Sequence, residues 1–363
     1  MAATVRSSSL ANEIVARSVS GTEWDDFVKN IPWASPQHRF AWGSALATSF
    51  GYIGLHYRVL RHNDHAVAGI PLMRFSVGGP IRALHSSAFD SYGGPLIDPR
   101  YLDDAAVAAT LLREIDVEAR SSRAFEARIT FPPVTPAKVV RFFETAERSL
   151  TVARNCPVLN LDRSLDAIVA GYDPAVRRAI RRSAKEGVEV SAASALGLVK
   201  AAYPIYHATM ERIGGTAKPW RFLETLLRDG LAVPFTALRA GRPIALVILL
   251  VSGEMAIYWI SASDISESTA RPTNALVDAA IRWCHRRGIK RFSFGESPNE
   301  RASLEKFKMG WGPDVLNTVT WARVYRPLVH RGWQALEPAA RQAYALWDRL
   351  KRADRDASPP SDR

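Results

Sequence analysis

The chain has 363 residues, of which 47% are hydrophobic and 9% aromatic, a composition that supports packed cores and excludes general disorder. Its length predicts two domains of moderate size. The formal net charge of +12 favours polyanionic partners such as nucleic acid, an anionic membrane surface or phosphorylated substrates, although the arginine-rich codon usage of a GC-rich genome explains it equally well.

Apolar spacing and turn residues predict alternating helices and strands in the first half. Residues 1–20 are expected to be a loose leader or an edge strand. Helices are expected at Glu23–Lys29, Phe40–Phe50, Leu102–Ser121 and Ala137–Leu150, and strands at Tyr57–Leu60, Val67–Arg74, Ile81–Leu84 and Ala124–Phe131. Residues 1–150 therefore form a first predicted α/β domain.

The second half resembles the first in its order of elements. Helices are expected at Leu165–Glu186 (interrupted near Tyr172), Leu198–Arg212, Arg221–Arg228 and Asn274–Arg287, and strands at Phe235–Leu238, Ile244–Val251, Met255–Ser261 and Arg291–Phe294. Residues 151–326 form the second predicted domain, followed by an amphipathic basic helix over 327–352 and a disordered tail over 353–363.

An internal echo suggests that the two halves are duplicated α/β domains. In YRVLRHNDHAVAGIPLM and in FTALRAGRPIALVIL, an apolar strand ends in Leu-Arg, a polar turn follows, and a second apolar strand begins. Any two hairpins share some of this pattern, so the echo is weak by itself.

Cysteine and histidine usage gives no sign of a metal centre. Cys156 and Cys284 are far apart, and the eight histidines form no HxxxH or HExxH spacing. We therefore expect a reduced, cytoplasmic protein without a bound metal or cofactor. The apolar run Ile244–Val251 is too short to span a bilayer, and the N-terminus lacks the apolar core of a signal peptide.

Arginines form pairs on a predicted helix over residues 177–185, RRAIRRSAK. Arg177 shares a face with Arg181, and Arg178 with Arg182. Guanidinium forks suit phosphate oxygens, although a solvated helix face is an equally good explanation.

Two loops carry residues suited to ligand binding. In STARPTN, Arg271, Thr273 and Asn274 stand where a strand passes into a helix that begins with proline, so backbone N–H groups can meet an anion. In FDSYGG, Asp90 and Tyr92 stand beside paired glycines that permit close approach of a ligand. A plain connecting loop and a structural turn are the alternatives.

One predicted strand has a face that can line a cleft. The aromatic pair Tyr258-Trp259 alternates with Ser261 and Ser263, and core packing is the expected role of Trp259. No Ser-His-Asp order, Cys–His arrangement or paired-carboxylate motif occurs, so the chemistry is expected to rest on positioning and electrostatics.

The segment SLEKFKMGWG predicts a helix that ends in a Gly-Trp-Gly turn. Its spacing turns Leu304 and Phe307 toward a core, so Lys306 and Lys308 need not point the same way. One of these lysines can be ordinary surface while the other lies on a pocket wall.

The order of these segments resembles the Fem family of peptidyl-transferases, which includes FemX and the FemA/FemB relatives. RRAIRRSAKEGVEV, RPTNALVDAAIRWCHRRGIKRFSFGES and SLEKFKMGWG carry the likeness in the second half, and PQHRFAWGSALATSFGY, VAGIPLM and FDSYGGPL carry it in the first. The likeness runs from Trp33 to Gly312. It implies an α/β fold with mixed α+β sheets, namely two tandem GNAT-like domains with a C-terminal helix.

The resemblance also implies chemistry. Fem proteins typically transfer an amino acid from aminoacyl-tRNA to an amine, often on a cell-wall peptide precursor. Their Phe-Lys pair matches Phe307 and Lys308, which makes Lys308 the expected catalytic cation and leaves Lys306 solvated. Lys218, before Pro219, stands where the FemX-like pattern has a basic residue before proline.

Two departures concern the acceptor more than the fold. The span from Gly187 to Pro234 leaves no room for the helical-hairpin insertion of the FemA/FemB type, so the chain resembles the shorter FemX-like form. ARITFPPV has no carboxylate after its strand, where the cell-wall enzymes bind their acceptor.

Three functions remain open from the sequence. The first is an aminoacyl-tRNA-dependent aminoacyltransferase, acting on a peptide precursor or natural-product amine. The second is an acyl-CoA-dependent N-acyltransferase, with the STARPTN loop at the CoA pyrophosphate. The third is a catalytically silent RNA-binding module. In the first, Phe307 and the two arginine pairs face the donor together with Arg271, Thr273 and Asn274, while Asp90, Tyr92, Lys218, Tyr258, Ser261 and Ser263 face the substrate.

Overall fold

The computed structural model describes residues 14–78, 80–89, 91–296, 302–337 and 339. Within them, strands from both halves of the chain form one continuous mixed sheet. The strands are β1 (Val15–Ser18), β2 (Ile53–His62), β3 (His65–Gly78), β4 (Ile81–His85), β5 (Leu96–Ile97), β6 (Ala124–Phe131), β7 (Leu150–Asn160), β8 (Glu189–Ala192), β9 (Ala232–Arg239), β10 (Arg242–Ser252), β11 (Met255–Ser263), β12 (Arg291–Ser293) and β13 (Asp314–Val324). They lie in the order β1-β2-β3-β4-β6-β13-β7-β12-β11-β10-β9-β8, with β5 paired to β3.

Helices cover this sheet, so the predicted α/β class is confirmed. They are α1 (Gly21–Val28), α2 (Phe40–Ser49), α3 (Ala105–Ser121), α4 (Ala137–Glu144), α5 (Leu165–Ala170), α6 (Pro174–Lys185), α7 (Leu196–Arg212), α8 (Trp220–Arg228), α9 (Pro272–Arg286), α10 (Ala302–Met309) and, over 327–337, α11. No helix in the described ranges is long and apolar enough to cross a membrane.

The predicted helix over Ala137–Leu150 is wrong in its second half. The helix ends at Glu144, and Leu150 already begins β7. The expected strand at the N-terminal edge lies at Val15–Ser18, where it pairs with β2. The parts of the predicted C-terminal helix and tail beyond residue 339 lie outside the described residues.

The two hairpins of the internal echo share one turn geometry. β2 and β3 are joined through Asn63 and Asp64, with φ of 47° and 60°, and β9 and β10 through Ala240 and Gly241, with φ of 50° and 74°. Two successive residues with positive φ match the right-handed twist of the paired strands.

β13 joins the two halves of the sheet. It pairs with β6 of the first half on one edge and with β7 on the other, both antiparallel. A core cluster also crosses the halves, because Trp42 on α2 contacts Phe222 on α8 with ring centroids 5.5 Å apart. The domain bounds at 150 and 326 stay a prediction, since one sheet runs through both.

Candidate active site

A wedge-shaped opening forms where β11 and β12 separate. These parallel strands pair over only three residues, from Met255 opposite Arg291 to Ile257 opposite Ser293. β11 continues to Ser263, whereas β12 ends at Ser293. The gap widens into a cleft of about 720 Å³.

An irregularity in β11 turns an aromatic side chain to the wall of this cleft. Ile260 lies opposite Ile248 and Tyr258 opposite Leu249, so Trp259 is the extra residue of a β-bulge. Its indole lines the cleft and packs against Trp42, with ring centroids 5.6 Å apart. Trp259 therefore has both the expected packing role and a surface toward the cleft.

The Gly-Trp-Gly turn after α10 fixes this helix against the short link between α5 and α6. Trp311 is fully buried and packs edge-on against Tyr172, with ring centroids 5.0 Å apart. The carbonyl of Gly310 accepts from the N–H of Asp173 at 2.8 Å. Gly312 has φ +72°, and a Cβ there would lie 2.6 Å from the carbonyl oxygen of Gly171. Glycine is therefore required at this position.

Lys308 is buried at the wall of the cleft, whereas Lys306 is exposed. The Lys308 ammonium donates to the backbone carbonyl oxygens of Gly295 at 2.9 Å and Glu296 at 2.8 Å. An ammonium has three N–H donors, and no third partner occurs among the described residues. Its third N–H group therefore has no partner in the described part of the chain.

Burial lowers the pKa of Lys308 to about 8, against the opposing effect of nearby Cys156 and Glu296. With this pKa the side chain is still mostly charged at neutral pH. A cation in such a sheltered place interacts with developing negative charge more strongly than one in water.

The carboxylate of Glu296 lines the same cleft. Its Oε1 accepts from the hydroxyl of Thr318 at 2.6 Å, and its Oε2 lies 3.5 Å from Nη1 of Arg154. Among the described residues that line the cleft, no other Asp or Glu occurs. The site thus holds the Lys308 ammonium and the Glu296 carboxylate, each fixed by its own hydrogen bonds.

A chain of buried, neutral polar groups lies beneath these charges. The Tyr92 hydroxyl is 3.2 Å from Sγ of Cys156, which is 3.3 Å from Oγ of Ser293. Burial raises the pKa of the Cys156 thiol and that of Tyr92. These groups therefore stay protonated and position the chain that leads to Gly295, whose N–H donates to Ser293 Oγ at 3.2 Å.

A second cation enters the cleft from the loop before α8. Nζ of Lys218 lies 4.9 Å from the ring centroid of Phe89 and 5.5 Å from that of Trp259. Aromatic faces attract an ammonium and hold it in place. Lys218 and Phe89 come from opposite halves of the chain, so the fold completes this part of the cleft.

The N-terminus of α9 opens into the cleft from the other side. Arg271 has a left-handed backbone with φ 55°, Pro272 begins the helix, and no side chain caps it. Thr273 and Asn274 line the cleft in the first turn. Pro272 has no N–H and the N–H of Asn274 donates to the Arg271 carbonyl at 3.1 Å, so the N–H of Thr273 and the helix dipole are what favour a negatively charged ligand here.

Most of the residues singled out in the sequence meet in this one cleft. Those that line it are Lys308, Phe307, Arg271, Thr273, Asn274, Tyr92, Lys218, Tyr258, Ser261 and Ser263. Asp90 lies outside the described residues. The four arginines of α6 do not line the cleft.

The arginines of α6 also differ from one another. Arg177 donates to the carbonyl oxygens of Ala170 and Tyr172 and thereby ties α6 to the end of α5. Arg178 and Arg181 are exposed, and Arg182 lies 3.7 Å from the carboxylate of Glu186. The predicted helix over these arginines is confirmed, but the guanidinium of Arg177 binds backbone carbonyls of the protein itself.

Glu296, Arg154 and Gln37 are among the cleft residues that sequence reasoning missed. Glu296 follows the buried strand β12 in FSFGES, and a carboxylate beside a glycine at a strand end was the available signal. Arg154 and Gln37 gave no signal, because β7 was not predicted and Gln37 lies in a short turn.

Comparison with known proteins agrees with this geometry. Residues 174–309 match a family model described as an acetyltransferase (GNAT) domain. The crystal structure of FemX superposes with a TM-score of 0.70 at 14% identity, covering 89% of this chain and 100% of that chain. No curated protein sequence matches.

Two further solved structures share the fold. L-PGS from Bacillus licheniformis has a TM-score of 0.55 at 11% identity, covering 86% of this chain and 95% of that chain. A tandem GNAT protein from the clavulanic acid biosynthesis pathway has a TM-score of 0.50 at 14% identity, covering 86% and 98%.

Residues 174–309 thus carry the domain of a GNAT acyltransferase, and the chain as a whole has a fold of that class. Within that class, the tandem arrangement is FemX-like, which confirms the resemblance inferred from the sequence.

Proposed function

We propose that the protein transfers an aminoacyl group from aminoacyl-tRNA to an amine and so forms an amide bond. The observation that carries this proposal is the buried Lys308 ammonium, with two N–H groups held by carbonyls and one left at the wall of the cleft. The acceptor is the amine of a small molecule or peptide, such as a peptidoglycan precursor or a natural-product amine.

The reaction passes through an intermediate with a negatively charged oxygen, which the protein has to stabilise. Attack of an amine on the donor ester gives a tetrahedral intermediate with a negative oxygen, and the remaining N–H of Lys308 donates to that oxygen. The Lys308 ammonium needs little reorganisation because Gly295 and Glu296 already fix it. Collapse of the intermediate breaks the ester bond and leaves the amide.

The acceptor amine needs a group that receives its proton. In this proposal the ammonium of the acceptor binds beside the Glu296 carboxylate, which Thr318 and Arg154 hold in place. Glu296 takes one proton from the ammonium and so frees the attacking amine, and a second proton passes from the nitrogen of the tetrahedral intermediate to the departing ribose oxygen. The carboxylate absent from ARITFPPV thus has a counterpart at the end of another strand.

The RNA part of the donor has a basic surface available beyond the cleft. Arg178 and Arg181 are exposed on α6, whose flank packs against α9. The N-terminus of α9 lies at the cleft. A tRNA whose phosphates bind along α6 can therefore place its aminoacyl end in the cleft. Such contacts are electrostatic and weaken as salt concentration rises.

An acyl-CoA donor is the second candidate. The uncapped N-terminus of α9, with Arg271 before it, favours a pyrophosphate in the cleft. The same Lys308 would then stabilise the oxyanion formed from a thioester. The loop before α9 contains no glycine, which argues against close cradling of a pyrophosphate by its backbone.

Radiolabelled donors distinguish these functions. The purified chain is incubated with a pool of labelled aminoacyl-tRNAs and candidate amines, with and without prior RNase treatment, and in parallel with labelled acyl-CoA. We expect RNase-sensitive transfer of label to an amine. Transfer from acyl-CoA that resists RNase would favour the second function, and absence of transfer from either donor would contradict both.

A further inference from the structure

A second large groove lies apart from the cleft, at the far end of β13. Its volume is about 1230 Å³, and it runs between the C-terminal end of α3, the end of β13 and helix α11. The middle of β13 supplies Thr318 near the cleft, and its end supplies Arg323 to this groove. Five residues of strand separate them by about 17 Å, at roughly 3.3 Å for each residue.

One side of the groove is rich in arginine. Its lining includes four arginines that have no carboxylate within ion-pair distance in the described part of the chain, namely Arg120, Arg123, Arg148 and Arg326. Among the described residues of the lining, Glu147 supplies the one carboxylate. The guanidinium of Arg120 lies 5.8 Å from the ring centroid of Tyr325, which leaves its edge open to an anion.

The floor of the groove is neutralised and firmly held. Nη1 of Arg323 donates to both carboxylate oxygens of Asp116 at 2.8 Å, and Nη2 donates to the backbone carbonyl of Glu147 at 2.7 Å. The hydroxyl of Tyr325 donates to the same carboxylate. Because Asp116 neutralises Arg323 at the floor, the net positive charge of the groove comes from the surrounding arginines.

The opposite side of the groove is apolar. Val329, Trp333 and Leu336 of α11 line it. The side chain of Leu336 is 61% exposed and that of Leu328, on the same helix, is 83% exposed. His330 holds the helix in place, since its Nε2 lies 3.2 Å from the buried carboxylate of Glu126.

We propose that this groove and the exposed leucines of α11 dock the protein on an anionic phospholipid surface. The arginines meet the lipid phosphates, while Leu328 and Leu336 enter the interface between headgroups and acyl chains, with the half-buried indole of Trp333 on the same helix. Basic residues beside exposed leucines are a pattern that binds such surfaces. A bare polyanion such as RNA accounts for the arginines but not for two exposed leucines beside them.

The arginines of α6 provide the contrast. Arg178 and Arg181 are exposed, like the four arginines of the groove without a carboxylate partner, yet no large apolar side chain of α6 is exposed. The chain therefore has two basic surfaces with different neighbours. The inference is independent of the proposed reaction, because it requires neither the cleft nor a donor.

The test is co-sedimentation of the full chain with phosphatidylglycerol vesicles and with phosphatidylcholine vesicles. We expect binding to the first alone, weakening as salt rises. Arg123 and Arg148 both have φ of 56°, so Arg123→Asn with Arg148→Asn suits their backbone; this pair should weaken binding about thirtyfold. Leu328→Ser with Leu336→Ser should weaken it about tenfold or more at unchanged charge.

The matched control is Arg178→Gln with Arg181→Gln, which removes the same charge from α6 and should leave vesicle binding within about twofold. Circular dichroism checks that each variant is folded. Three results would overturn the inference: absence of binding to phosphatidylglycerol vesicles, equal losses in the control pair and the groove pair, or unchanged binding in the leucine pair. A fourth result would reassign the surface to RNA: a groove pair that loses binding to RNA while its binding to phosphatidylglycerol vesicles is unchanged.

Discussion

The ammonium nitrogen of Lys308 and the backbone carbonyl oxygen of Glu296 lie 2.8 Å apart, and the Glu296 side chain is held separately by Thr318. One residue thus fixes the cation through its backbone and presents an anion through its side chain. While these two hydrogen bonds are formed, the Lys308 ammonium and the Glu296 carboxylate are held apart and do not form a direct ion pair. This arrangement gives the cleft a site for an oxyanion and a site for an amine.

Replacing the carboxylate tests the amine site. We expect Glu296→Gln to lower kcat/KM for the acceptor about a hundredfold or more, because the amide neither attracts an ammonium nor accepts its proton. Binding of the donor should change little. Glu305→Gln is the control, since Glu305 is exposed on the helix that carries Lys308. Equal acceptor kinetics in both variants would remove Glu296 from the mechanism.

The lowered pKa of Lys308 predicts a pH effect. As pH rises through about 8 the ammonium loses its proton, so stabilisation of the oxyanion is present below this pH and lost above it. We expect the rate of transfer to fall above about pH 8 in the wild type. In Lys308→Arg the guanidinium stays charged, and the residual activity should lack this fall. A titration of the labelled lysine by NMR provides a measure that is independent of activity.

Gly312 tests the turn that positions α10. We expect Gly312→Ala to lower the free energy of unfolding by about 3 kcal/mol, because its positive φ is strained for alanine and its Cβ meets the carbonyl of Gly171. Gly241→Ala is the control, with φ +74° and open space around its Cβ. Its expected loss is about 1 kcal/mol, from the backbone alone. Denaturant unfolding measures both, and similar losses would contradict the steric argument.

The exposed arginines of α6 test the donor surface. We expect Arg178→Gln with Arg181→Gln to raise KM for aminoacyl-tRNA and to reduce the slope of log K against log salt by about 2, one for each lost phosphate contact. Groove variants at Arg123 and Arg148 serve as the control of equal charge. An unchanged slope in the α6 pair would place the RNA elsewhere.

Sequence patterns predicted the cleft better than the sheet. The Phe307-Lys308 pair, the helix that begins at Pro272 and the alternation along β11 are local signals, and each led to a residue that lines the cleft. β7 was missed because its first six residues, including Leu150 and Val152, are exposed, so the strand lacks an alternating apolar pattern. Its pairing with β13 joins distant segments, which local periodicity cannot reveal.

Contacts between side chains and backbone carbonyls could not be predicted from the sequence either. The face shared by Arg177 and Arg181 follows from helical spacing, but the turn of Arg177 onto the carbonyls of Ala170 and Tyr172 depends on how α5 and α6 meet. Similarly, the two carbonyls that hold Lys308 belong to a segment that is placed by the end of β12.

The most direct test of the central claim is single-turnover transfer from a charged tRNA by the wild type, Lys308→Met and Lys306→Met. We predict that Lys308→Met lowers the rate about 10²–10³-fold, the usual loss when one oxyanion donor is removed. Lys306→Met, at an exposed position two residues earlier, should retain the wild-type rate. If the wild type transfers the aminoacyl group and Lys308→Met does so at the same rate, Lys308 does not stabilise the oxyanion.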